Sequence, residues 1–388
     1  MTGQTHAVAQ QVIDAGPGEP SAIERSTIRK INLRIIPFLI VCYAVSQIDR
    51  SNIGFAATEI IKSFSLSNAQ FGLAGGLFFV AYLLCEVPSN LALEKFGARR
   101  WIARIMITWG LASAGIAFVI GVKTFMLMRF VLGAAEAGFF PGVVLYMTYW
   151  YPRQRRAQIV GVFMLAIPIS GIVSSPISGW LMGLSGWLGL MGWQWLFIVE
   201  GLPAVLLGLV TLWFLTDRPA QAKWLSHDQR TWLVNTLEAE SKQASADRGK
   251  RAAVWRVLFS KEVLLLGLIY SSTASAVVAL NIWQPIIIKS FGLSYGLTGW
   301  LNAIPYIPAA FFMVWWGHRS DRSGERFWHN VNPMIWMVVG MVGILFAKQL
   351  PIVLVLLTLV TVGIYATRGR SGHTLPKSCP AAWRPASP

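Results

Sequence analysis

Charge is what this chain has least of. Only 13% of its 388 residues are Asp, Glu, Lys or Arg, and 17 of them are acidic. Soluble domains carry roughly 25% charged residues. A chain that is 55% hydrophobic, with a mean hydropathy of +0.54, instead has the composition of an integral membrane protein. Cysteine is also scarce. Cys42, Cys85 and Cys379 show no CxxC or metal-ligand spacing, which excludes a disulfide framework and a thiolate metal centre. Cys42 and Cys85 lie in apolar runs and read as core residues. No P-loop, nucleophile elbow or metal cluster stands out, so neither an enzyme nor a cofactor is expected. Gly75, Gly76, Gly133, Gly138 and Gly142 lack the strand-and-loop setting of a phosphate cradle and read as close helix packing. His318 and His329 read as solvated loop residues. No cleavable leader is visible. Residues 1–24 are polar, with Gly16, Pro17, Gly18 and Pro20, and read as a disordered cytoplasmic tail.

What is present is a series of apolar runs of about 20 residues, each long enough to cross a bilayer. Ten spans are expected: about 32–58, 71–93, 101–120, 125–149, 159–184, 195–215, 263–288, 297–316, 331–347 and 351–366. The formal charge of +16 does not mark a nucleic-acid partner, because the basic residues sit in short loops between these runs. They concentrate in the N-terminal segment and in the loops after spans two, four, six and eight. The positive-inside rule then places the N-terminus in the cytoplasm. The polar stretch from Asp217 to about Arg256 divides the chain into an N-terminal half (25–216), a cytoplasmic linker (217–258) and a C-terminal half (259–369). Ser226-His-Asp-Gln at its start reads as the cap of a surface helix.

Two places break the apolar pattern. Arg129 and Glu136 lie seven positions apart in the fourth span, close to two helical turns, so both project from one face. Asp49 and Arg50 fall late in the first span. An ionised side chain at mid-bilayer costs about 3 kcal/mol or more, so such residues face a bundle interior or a watery cavity. An acid with a base in each of two helices suggests a cavity that binds an anion and carries a proton. The competing readings are a structural ion pair for Arg129 and Glu136, and an interfacial cluster for Asp49 and Arg50. Glu86 is a second candidate for a cavity acid, although Pro88 and Asn90 near the inner end of span two favour packing. Asn281, Trp283 and Gln284 in span seven either cap a substrate site or anchor at the membrane interface.

The loop after span two ends in Gly97, Arg99 and Arg100. The loop after span eight repeats that chemistry with Gly317, Asp321, Arg322, Gly324 and Arg326. Such loops suit gates between two pseudo-symmetric halves, with Asp321 accepting from a helix N-terminus or from an arginine across the seam.

With these features in place the chain resembles the major facilitator superfamily, and more closely its anion:cation symporter family. The resemblance covers about residues 25–368. It is carried by Arg34-Ile-Ile-Pro37, Asp49-Arg-Ser-Asn52, Glu86-Val-Pro-Ser-Asn90, Phe96-Gly-Ala-Arg-Arg100, Arg129-Phe-Val-Leu-Gly-Ala-Ala-Glu-Ala-Gly-Phe-Phe-Pro-Gly142, Trp150-Tyr-Pro152, Asn281-Ile-Trp-Gln-Pro285 and Ser320-Asp-Arg-Ser-Gly-Glu-Arg326. It implies an all-α major facilitator fold and import of a small organic anion (sugar acid, dicarboxylate or aromatic acid) with protons by alternating access. By the same resemblance Asp49 and Glu136 carry protons, Arg50 pairs with a substrate carboxylate, Arg129 links substrate to the acid, and Tyr82 hydrogen-bonds substrate. The usual aspartate of the first gating loop is missing, with Glu94 and Lys95 in its neighbourhood. A monomer in the inner membrane is expected, with the anion, the proton and the lipid as its partners.

The second half counts four spans where six are expected. From Gly369 the composition turns to Arg370-Ser-Gly-His373 and on to Pro388. In a neighbouring reading frame, Arg-Ser-Gly-His and Trp383-Arg-Pro-Ala-Ser-Pro388 admit Pro-Phe-Trp-Ala and Leu-Ala-Ala-Gly-Ile-Ala, both strings of the family. The expectation is a single-base frameshift near codon 369, an aberrant tail over 370–388, and an unstable, inactive product. A non-transporting remnant or a membrane sensor is therefore the alternative function.

Overall fold

The computed structural model describes residues 21–248, 260–325 and 327–367. They form helices, with no strand among the described residues. In chain order these are α1 (Ala22–Ser63), α2 (Asn68–Phe96), α3 (Ala98–Ile116), α4 (Val122–Glu136), α5 (Phe139–Thr148), α6 (Arg153–Met164) and α7 (Ala166–Met182). There follow α8 (Gly192–Phe214), α9 (His227–Arg248), α10 (Lys261–Lys289), α11 (Tyr295–Ala303), α12 (Tyr306–Ser323), α13 (Phe327–Phe346) and α14 (Leu350–Ala366). Among the described residues, eight stretches are long and apolar enough to cross a membrane, with α4–α5, α6–α7 and α11–α12 each counting as one. The other two expected spans are helices as well: the shorter apolar α14, and α3, which carries Arg99, Arg100 and Arg104 near its start. The expected tail over 370–388 lies outside the described residues.

Serine starts many of these helices. The Ser21 hydroxyl accepts from the Glu24 amide at 3.1 Å, and Ser67 and Gln70 cap each other reciprocally. Ser226 does the same with Gln229 at the head of α9, as its sequence suggests. Each such cap is worth about 1 kcal/mol.

Three expected spans are bent, and proline explains each bend. Pro141 has no N–H for the Ala137 carbonyl, and the chain turns there through Gly138 at φ +83°, a left-handed conformation that favours glycine. Pro168 stands four residues after Met164, where α6 gives way to α7, and Pro308 four residues after Ile304, between α11 and α12. Broken helices persist at membrane depth where they are buried in protein or line a cavity.

The first helix is longer than its apolar run. At about 1.5 Å per residue its 42 residues span about 63 Å, twice a bilayer core. Its polar start is helical because it docks on protein: Glu24 pairs with Arg155 at 3.0 Å, and Lys30 Nζ donates to Gln229 Oε1 at 3.0 Å. The Arg34 guanidinium lies over the Phe214 and Trp224 rings. Residues 22–24, expected in the tail, therefore belong to α1.

The two halves meet along α1 against α10 and along α7 against α11 and α12. The second seam is closed by paired glycines. A Cβ on Gly179 would lie 2.6 Å from the Tyr295 carbonyl oxygen and 2.9 Å from Gly299 Cα, so the backbones touch.

Candidate functional site

The charged residues singled out in the sequence converge inside the N-terminal half. Arg50 Nε donates to Glu136 Oε1 at 2.7 Å, joining α1 to the end of α4. Glu136 is fully buried, and its Oε2 has no protein partner. Arg129 is 3% exposed. Its Nε and Nη1 are buried without a partner, and its guanidinium sits 5.0 Å from the Phe78 ring centroid. Arg129 and Glu136 do share a buried face of α4, yet the acid's ion-pair partner comes from α1. Tyr82 of α2 presents its ring to the Arg50 guanidinium at 5.0 Å. Arg50 Nη2 is a further buried donor with no partner.

Asp49 faces another way. Successive helical side chains turn by about 100°. Gln47 and Ser51 therefore look towards the C-terminal half, Asp49 points into the N-terminal half, and Arg50 lies between. Asp49 is 1% exposed. Its Oδ2 accepts from Trp109 Nε1 at 2.6 Å, its Oδ1 from Ser113 Oγ at 2.8 Å and more weakly from Asn52 Nδ2 at 3.5 Å. It is thus held by α3 through neutral donors, with no cation in ion-pair contact.

Between the halves lies a small polar cavity of about 10 Å³, room for about one water. Gln47, Ser51, Ser174 and Ser175 line one side, and Asn281, Asn302 and Tyr306 the other. Ser175 Oγ accepts from Asn302 Nδ2 at 2.8 Å across the seam. The space does not reach the Arg50–Glu136 pair. Asn281 lines it and accepts from the Tyr306 hydroxyl at 3.4 Å. Gln284 is buried beside it and donates to the Asn302 carbonyl at 3.1 Å. Trp283 is 41% exposed and does not line the cavity.

The gating-loop residues are placed as follows. Gly97 has φ +90° and joins α2 to α3. The Arg99 amide donates to Asp217 Oδ1 at 2.8 Å, and its guanidinium lies 3.8 Å from Oδ2. Asp217, the first residue of the polar linker, is therefore the acid that meets this loop, a position that neither Glu94 nor Lys95 takes. Arg100 and Arg322 are exposed. Gly324 at φ +64° ends α12. The side chain of Asp321 and the whole of Arg326 lie outside the described residues.

Several residues of this site escaped the sequence reading: Trp109, Ser113, Asn302, Tyr306 and Glu200. Only Glu200 carried a usable signal. It is an acid in the apolar run 192–214, the same anomaly that marks Glu136, but no base accompanies it.

Residues 39–381 match the model of the Major Facilitator Superfamily. The chain belongs to that superfamily and is a membrane transporter, not an enzyme. It is 48% identical over 349 residues to a putative tartrate transporter of Agrobacterium vitis, covering 90% of this chain and 80% of that one. It is 43% identical to the putative metabolite transport protein NicT of Pseudomonas putida, covering 86% and 77%. Among solved structures, the partially occluded inward-open xylose transporter XylE from Escherichia coli superposes with a TM-score of 0.69 at 15% identity, over 86% of this chain and 84% of that one. A bacterial homologue of the human lysosomal transporter Spinster gives 0.65 at 21% identity, over 87% and 72%. Both likenesses are of fold.

Proposed function

We propose that this transporter imports a small organic anion together with protons by alternating access, with tartrate-like dicarboxylates and sugar acids as the favoured substrates. The observation that carries this reading is the buried Arg50–Glu136 pair beside an unpaired Arg129. An arginine presents a planar fork that grips a carboxylate through two hydrogen bonds. A substrate carboxylate arriving at Arg50 competes with Glu136 for that fork, and the free Nη2 of Arg50 offers it a first hold. Glu136, released from its cation inside an apolar bundle, then takes a proton. Anion and proton binding thereby favour each other, and the coupling is reciprocal. Arg129 supplies a second positive charge that keeps the emptied site from carrying a bare carboxylate, and Tyr82 orients the Arg50 fork. Asp49 is the other proton carrier, apart from the substrate and held by Trp109 and Ser113.

Asn281 and Gln284 contribute neutral polar groups from the second half when the seam opens. The names of the relatives, tartrate and metabolite transporters, support the anion class. The loop charges support a cytoplasmic N-terminus in an inner membrane, and the chain acts as a monomer. The test is uptake of labelled tartrate, galactonate and nicotinate into vesicles with and without an imposed pH gradient. Accumulation that follows the gradient is expected. Absence of uptake for every anion would favour a non-transporting membrane protein.

A further inference from the structure

Glu200 lies halfway along α8 and the proposed transport cycle gives it no task. It is 5% exposed. Its Oε1 accepts from Ser178 Oγ of α7 at 2.6 Å, and its Oε2 is buried without a partner. None of the ion pairs among the described residues includes it. A buried carboxylate with neither a cation nor a full set of donors is among the most expensive groups a protein can hold. A proton on that carboxyl removes the charge and turns an idle acceptor into a donor.

The neighbours of Glu200 say where such a proton would go. α1, which carries Asp49, packs along α8. α3 brings Trp109 and Ser113, both donating to Asp49. A Cβ on Gly201 would lie 3.2 Å from Ser113 Cβ, so the chain beside Glu200 rests against that serine. α7 brings Ser178. Glu136 and Arg129 belong to α4, which packs on α3. Asp49 and Glu200 are thus both buried, on two helices that pack together, and each accepts from a serine hydroxyl, with no cation in ion-pair contact with either among the described residues.

We propose that Glu200 is a third proton-holding carboxyl of this transporter, beside Asp49 and Glu136, exchanging its proton with Asp49. The exchange moves one proton from one carboxyl to the other, with no change in bonding elsewhere. It also links the proton to the gate: Ser178 precedes Gly179, which packs on Gly299, and Ser175 one turn earlier accepts from Asn302 of the other half. This assignment rests on the proton-coupled reading only in treating Asp49 as a proton carrier.

Infrared difference spectroscopy of the full chain in lipid, stepped from mildly acid to mildly alkaline buffer, reads the carboxyl directly and needs no substrate. Several titrating carboxylic-acid carbonyl bands are expected, those of Asp49 and Glu136 among them, and one component belongs to Glu200. Glu200→Gln should abolish it, Ser178→Ala should keep it but shift its frequency, and Asp49→Asn should move its midpoint to lower pH by removing a neighbouring negative charge. A set of titrating bands that Glu200→Gln leaves unchanged overturns the proposal, as does a Glu200 band that does not titrate or whose midpoint ignores Asp49. Should Glu200→Gln fail to fold, the Ser178→Ala and Asp49→Asn spectra decide alone. Parallel uptake of labelled tartrate separates the two readings. The expected spectra without pH-driven uptake would overturn proton-coupled transport and leave Glu200 exchange standing, and the converse would overturn Glu200 exchange alone.

Discussion

The two halves of the bundle bury different kinds of polarity. In the first, Asp49, Arg129, Glu136 and Glu200 are each no more than 5% exposed. In the second, the buried polar side chains among the described residues are neutral: Thr273, Gln284, Thr298, Asn302, Ser320 and Thr361. A buried ion responds to another charge by several kcal/mol, whereas a neutral hydrogen bond is worth about 1 kcal/mol net. The first half thus holds buried charges that respond strongly to any charge brought near them. The second is built to close against it through contacts that form and break cheaply.

Substitutions in the charged half should have the larger effects. Glu136→Gln keeps the shape of the side chain and removes its ability to lose a proton. Tartrate binding should survive while accumulation against a gradient is lost, which parallel exchange and accumulation assays in vesicles will show. Accumulation equal to the unaltered chain would return Glu136 to a purely structural role. Arg50→Lys keeps the charge but not the two-pronged geometry, and tartrate affinity should fall about 10- to 100-fold, a loss of a few kcal/mol. Calorimetric titration measures it, and unchanged affinity would make Arg50 a structural partner of Glu136 alone.

In the neutral half the effects should be smaller and should follow burial. Gln284→Ala, which leaves the Asn302 carbonyl without its donor, should cost about 1 kcal/mol of stability. Trp283→Ala, on an outward surface, should stay within about 0.5 kcal/mol. Thermal unfolding in detergent compares the two, and a reversed order would argue that Trp283 packs on something essential.

The smallest effect belongs to a cap in the second half. Glu325 accepts from the Trp328 amide at 2.9 Å and the His329 amide at 3.2 Å, and from His329 Nδ1 at 2.8 Å. The Trp328 amide, then the histidine side chain, hold its carboxyl below the ordinary glutamate range. A lowered folded-state value means that the cap's contribution is present above the unfolded value, about 4.3, and is lost as pH falls through the folded one. Amide hydrogen exchange at Trp328 and His329, corrected for intrinsic rates, should rise only in that acid range. Exchange that climbs already near neutrality would assign the cap to another group.

The helical frame was legible because membrane spans announce themselves by length and composition, and all ten expected spans are helices. The bends could have been located from Pro141, Pro168 and Pro308, whose missing N–H groups act on the residue four places earlier. The partner of Glu136 was not legible. Spacing along one helix puts Arg129 on the same face, but which guanidinium reaches the acid depends on how α1 is rotated against α4, and Arg50 lies 86 residues away. The same limit hid Trp109 and Ser113, since an indole and a hydroxyl in a span look like ordinary packing until a carboxylate is found between them. Trp283 shows the reverse. Its place in Asn281-Ile-Trp-Gln-Pro285 invites a binding role, yet the helix turns Asn281 and Gln284 inward and leaves the indole outside.

The bond from the Arg99 amide to Asp217 has a consequence for the making of the protein. Its two residues are 118 positions apart. A ribosome adding about 5–20 residues per second needs about 6–24 s to reach the second after the first. Throughout that time the turn at Gly97 and the first amides of α3 wait for an acceptor that the chain has not yet produced. The hairpin of α2 and α3 can enter the bilayer early, but it is locked only when the last span of its own half has followed it in. That makes the end of α8 a checkpoint in biosynthesis. An Asp217→Ala chain should linger in its immature form and fall to membrane proteases during synthesis, even where the small share of folded product behaves normally.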